Sequence, residues 1–105
     1  MSRIACTACR KLIGGERGED SVAAITGSIC GDESCDIYYR CDGCGAYTVL
    51  TVYEPFLGED QESIEGPVEP AVGDERVALI KRCETPWDKT CRCEAHREYF
   101  GDVLD

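Results

Sequence analysis

Cys41-Asp42-Gly43-Cys44-Gly45-Ala46-Tyr47-Thr48-Val49-Leu50-Thr51-Val52-Tyr53 is the stretch whose reading decides the fold. It opens with two cysteines separated by two residues and runs on into the strongest β character of the chain. Thr48, Val49, Thr51 and Val52 are β-branched, and Tyr47 and Tyr53 are aromatic, which predicts a strand over 46–53. Two thiolates at this spacing can grip one tetrahedral ion from a single tight turn. Glycines beside the ligands let backbone N–H groups approach the sulfur. A second such pair, Cys6-Thr7-Ala8-Cys9, stands near the start of the chain. Cys6, Cys9, Cys41 and Cys44 are therefore the expected ligands of a four-thiolate site.

Outward from these pairs, the remaining cysteines are Cys30, Cys35, Cys83, Cys91 and Cys93, and the single histidine is His96. Cys83, Cys91, Cys93 and His96 form a local set of four and make the expected second site, with Cys93 and His96 on the first turn of a helix. A mixed site in which Cys30 and Cys35 replace two of these is the alternative. A third reading has the thiols merely buried.

The coarse elements follow from composition. Residues 22–26, 37–40, 46–53 and 77–82 read as strands, and 27–35 as a turn-rich connection. Residues 94–100 read as a short helix that Gly101 terminates. Gly14, Gly15 and Gly18 read as a turn, since no preceding strand or following Lys-Ser/Thr supports a phosphate cradle. Residues 58–75 hold three glycines, two prolines and seven acids, and are expected to be a mobile, solvated loop. The expected organisation is a knuckle pair over 1–57, the acidic loop over 58–75, and a strand, ligand cluster and helix over 76–105 packed on the same domain. Ile25, Tyr39, Val49, Leu50, Val52, Leu79 and Ile80 are expected in the core. Tyr99 or Phe100 should dock the helix, and Trp87 should pack near the second site.

A chain of 105 residues buries a small core, so metal ligation is a natural supplement to its stability. The net charge is −10, and residues 55–75 carry seven acids and no base. That distribution disfavours a general nucleic-acid binder, although Arg10, Lys11, Arg40, Lys81, Arg82, Lys89, Arg92 and Arg97 lie near the ligand clusters. The absence of an apolar run long enough for a bilayer, or of an apolar signal core, leads to the expectation of a cytoplasmic protein with reduced thiols and no membrane partner.

The knuckle Cys41-Asp42-Gly43-Cys44-Gly45 resembles the zinc-ribbon and rubredoxin group of folds, and the resemblance covers residues 4–53. Cys6-Thr7-Ala8-Cys9-Arg10 departs from the pattern, because Arg10 stands where a glycine is usual. The resemblance implies an all-cysteine site on a three-stranded sheet and no particular activity. The expected fold is thus small, metal-stabilised and β-rich (α+β), a zinc-ribbon-like antiparallel sheet with a short C-terminal helix.

Enzyme readings lack parts. His96-Arg97-Glu98 matches half of a zinc-deaminase signature, but no Pro-Cys-x-x-Cys follows it. Cys30 and Cys35 are spaced more widely than redox dithiols, and Asp32 and Glu33 between them disfavour a thiolate. The expected function is a non-catalytic zinc protein, with two ions, serving as a protein-interaction module whose partner is another protein. The alternatives are a nucleic-acid-binding zinc ribbon, and a rubredoxin-type iron carrier or thiol-redox protein.

Overall fold

A computed structural model describes residues 4–15, 20–101 and 104. Among these residues, six strands and two helices follow in chain order: β1 (Ile4–Ala5), β2 (Leu12–Gly14), β3 (Ala23–Ile29), β4 (Asp32–Arg40), β5 (Tyr47–Glu54), β6 (Gln61–Val68), α1 (Pro70–Lys81) and α2 (Glu94–Phe100). β1 and β2 form a small antiparallel ribbon, and β3-β4-β5-β6 form an antiparallel meander of four strands. Among the described residues no helix is long and apolar enough to cross a membrane.

Alternation along the strands gives the meander two covered faces. Ile25, Tyr38, Tyr47 and Val49 point to one face, where Val77 and Ile80 of α1 and Tyr99 and Phe100 of α2 pack against them. Ile37, Tyr39 and Leu50 point to the other, where Ile4 and Ile13 of the ribbon cover them. Of the residues expected in the core, Ile25, Tyr39, Val49, Leu50 and Ile80 are buried, while Val52 and Leu79 are half-buried. A polar chain joins the sheet to α2: Tyr99 donates its hydroxyl to Asp36 at 2.6 Å and lies 2.6 Å from the Tyr38 hydroxyl.

The chain differs from the sequence-based expectations in several places. Residues 27–35 are not an irregular connection, because β3 and β4 form a hairpin in which Ile29 faces Asp32 across Cys30 and Gly31. Both turn residues have positive φ, 52° and 85°, as a two-residue turn matched to strand twist requires. Cysteine is an unusual occupant of that conformation, so the turn carries no ordinary sequence signal.

Residues 58–75 are not a loop throughout, since they contain β6 and the first half of α1. Pro70 sits in the first turn of α1, where its missing N–H costs nothing. Gly73 is a packing glycine: a Cβ there would stand 2.0 Å from the Tyr47 ring. Residues 77–81 are helical rather than extended and Arg82 is the C-cap, with Gly73, Val77 and Ile80 buried at helical spacing. Gly14 closes β2, and Gly18 of the expected turn lies outside the described residues.

Candidate metal centres

The two cysteine knuckles have the same backbone design. Arg10 donates its N–H to the Cys6 carbonyl at 2.8 Å, as Gly45 does to that of Cys41 at 2.8 Å. Cys6 N–H reaches the Lys11 carbonyl at 2.7 Å, and Cys41 N–H reaches that of Ala46 at 2.9 Å. Arg10 and Gly45 occupy equivalent positions with φ of 69° and 79°, so the arginine adopts the left-handed conformation that glycine adopts freely.

These turns bring the sulfurs of Cys6, Cys9, Cys41 and Cys44 within 4.8 Å of one another. Cys6 and Cys44 sulfurs are 3.5 Å apart and those of Cys9 and Cys41 3.6 Å. Four sulfurs at zinc–thiolate bond lengths would have tetrahedral edges of about 3.8 Å, whereas a disulfide needs about 2.0 Å. The set thus fits one tetrahedral ion, and none of the nine cysteines is in a disulfide.

Electrostatics at the first site favour ionisation of the buried sulfurs. Burial opposes the Cys6 thiolate, but the N–H groups of Cys9 and Ala8, 3.5 and 3.4 Å away, outweigh it and bring the thiol down to about 6. The Cys44 N–H, with that of Gly43, lowers Cys41. Four thiolates in contact would repel one another strongly, and a divalent cation among them removes that conflict. Thr48, fully buried, ties the first knuckle to β5, since its hydroxyl lies 3.0 Å from both the Thr7 N–H and the Thr7 hydroxyl. Lys11 and Asp42 join the two knuckles at 2.7 Å on the exposed side.

The second set is Cys83, Cys91, Cys93 and His96, again with ligand atoms within 4.8 Å of one another. Cys83 Sγ lies 3.7 Å from Cys91 Sγ and 3.2 Å from His96 Nδ1, and Cys93 Sγ is 3.5 Å from that nitrogen. A tetrahedron mixing sulfur and nitrogen ligands has edges of about 3.6 Å. Cys93 is the N-cap of α2, and its sulfur accepts the His96 N–H at 3.4 Å, so the helix start itself assembles half the set.

His96 is fully buried, and its Nε2–H donates to the Thr26 carbonyl at 2.9 Å. That bond leaves the Nδ1 lone pair facing the sulfurs, the arrangement of a ligating imidazole held by a backbone carbonyl. Burial raises the Cys83 thiol to about 11, while the Cys93 N–H lowers Cys91.

Cys30 and Cys35 join neither set. Cys30 is exposed at the β3–β4 turn, and Cys35 faces Thr26 in the sheet, its thiol pushed up by burial. Trp87, expected against the second site, is 71 % exposed in the loop between Cys83 and Cys91. What that loop contributes instead is the Pro86 carbonyl, which accepts the Thr26 N–H at 2.8 Å. Thr48 and the Thr26 backbone went unread in the sequence. A threonine in a strand looks like ordinary β propensity, and a backbone carbonyl has no residue signature.

Compared with known proteins, the chain matches no family model, no curated protein and no solved structure. Its two clusters are compatible with zinc-ribbon-like knuckles, and together they mark a metal-binding protein.

Proposed function

We propose that this chain is a non-catalytic protein holding two zinc ions and acting as a metal-stabilised platform for binding another protein in the cytoplasm. The observation that carries this reading is the completeness of both ligand sets, each with four donor atoms within 4.8 Å. A shell closed by four protein ligands leaves no position for a substrate or an activated water, which supports a structural role for the ions. Three thiolates with one imidazole, and four thiolates, are both common zinc shells.

Charge supports a protein partner over nucleic acid. Three of the cations near the sites are engaged locally: Lys11 with Asp42, Arg82 with Glu94 and Glu98, and Lys89 with Glu33. Phosphate binding requires surplus positive charge, and this chain carries −10. Iron at the first site is the second reading, favoured by the all-sulfur shell alone.

Metal analysis of purified protein with a visible spectrum tests the proposal. Two zinc equivalents and a colourless sample are expected. A red sample that bleaches with dithionite would assign the first site to iron. Folded protein without metal, its thiols paired to each other, would refute the two-site reading.

A further inference from the structure

The meander has two outer edges, and the chain treats them differently. Along β3, the Thr26 N–H is taken by Pro86, the Thr26 carbonyl by His96, and Ile29 bridges to Leu104. The second ligand set therefore stands against this edge and closes it. Along β6 nothing comparable occurs: among the described residues the strand pairs with β5 alone, and seven of its eight residues are exposed. A free edge of this length offers a row of N–H and C=O groups to an incoming strand.

Charge on β6 discriminates between possible occupants. Glu62 and Glu65 lie on the strand, inside a segment, 55–75, with seven acids and no base. A second copy of the same edge would bring further negative charge to an already acidic strand, which disfavours self-pairing. A strand of opposite sign would be attracted.

Apolar groups beside the edge go beyond what such a guard requires. Ile64 is 54 % exposed and in register with Leu50. The β5–β6 connection presents Phe56 and Leu57 at 79 % and 83 % exposure. That connection is anchored, because Asp32 accepts the Phe56 N–H at 2.7 Å and also the Tyr53 hydroxyl. Adjacent residues point to opposite faces of a strand, so Ile64, which shares its face with Glu62, and Glu65 on the opposite face ask for a partner with an aliphatic residue beside Ile64 and cations beside the glutamates.

We infer that β6, over residues 61–65, is a docking edge for an extended protein segment in which lysine or arginine alternates with aliphatic residues. The segment adds as a fifth strand, its main chain completing the β6 hydrogen bonds, its aliphatic side chains beside Ile64 and its cations beside Glu65. This inference rests on the interaction-module reading and supplies the chemistry of its partner.

The test uses the metal-loaded full chain and a short acetylated peptide of alternating lysine and valine. Its control has the same sequence with alternate backbone nitrogens methylated, which keeps the charge and removes main-chain donors. Tight binding of the first peptide, with amide signals of 61–65 shifting, is expected, and the methylated peptide should bind about tenfold more weakly. Glu65→Lys and Ile64→Ser should each weaken binding by about tenfold with metal content unchanged. Equal binding of the two peptides would reduce the effect to general charge attraction and overturn the docking edge. So would shifts confined to β3 or to the helices. A chain with two metals that ignores the peptide refutes the docking edge alone, whereas a folded chain without metal refutes the broader proposal.

Discussion

The first ligand set joins sulfurs 38 residues apart in the chain, whereas the second closes within 13. Loop-closure entropy alone makes the longer connection costlier by about 1 kcal/mol. The longer one compensates with local order: each knuckle is a complete turn with its own N–H groups directed at sulfur. The shorter set is cheap to close but depends on the sheet, because Thr26 of β3 fixes the orientation of its histidine. The set that closes over the longer distance thus carries the more local order, although Thr48 ties it to β5 as well.

The largest expected effect separates the sites. Cys41→Ser removes a fully buried ligand that holds the knuckles together, and should cost about 4 kcal/mol or more with loss of one metal equivalent. Denaturant unfolding with metal analysis checks it, and undiminished metal would break the assignment. His96→Ala comes next: it should release the other equivalent and cost about 2–4 kcal/mol, since the Thr26 carbonyl also loses its donor. Retention of the first ion in that variant is the sharpest check on independence, because simultaneous loss of both would make the sites one unit.

Gly73→Ala should leave both metals bound yet destabilise the protein by about 1–3 kcal/mol, because the new methyl group meets the Tyr47 ring. Thermal unfolding of the metal-loaded variant measures this. The smallest effect is expected for Cys30→Ser, within about 0.5 kcal/mol and with both equivalents retained, since Cys30 is exposed and outside either set. Loss of an ion from that variant would restore the mixed site as the arrangement of the second centre.

The ligand groupings were legible because spacing is a local property: Cys6/Cys9 and Cys41/Cys44 announce turns, and Cys93 and His96 announce a helix start. The strand after Cys44 and the terminal helix were legible for similar reasons, β-branching in one and a following glycine in the other. What stayed hidden depended on tertiary contact. Gly73 reads as a breaker until the Tyr47 ring beneath it is known, and Pro70 reads as a loop residue until it is seen in a first helical turn. Short apolar runs such as 77–80 suit a strand or a helix equally until something packs on one side. The exposure of Trp87 was equally unreadable, because a lone tryptophan among cysteines looks like core.

That exposure makes the chain its own optical reporter. Trp87 is the sole indole, and it lies in solvent on the short connection between Cys83 and Cys91. Tryptophan emission from the intact protein will therefore be red-shifted and open to acrylamide quenching. A change in it on adding a chelator will report on the surroundings of that connection.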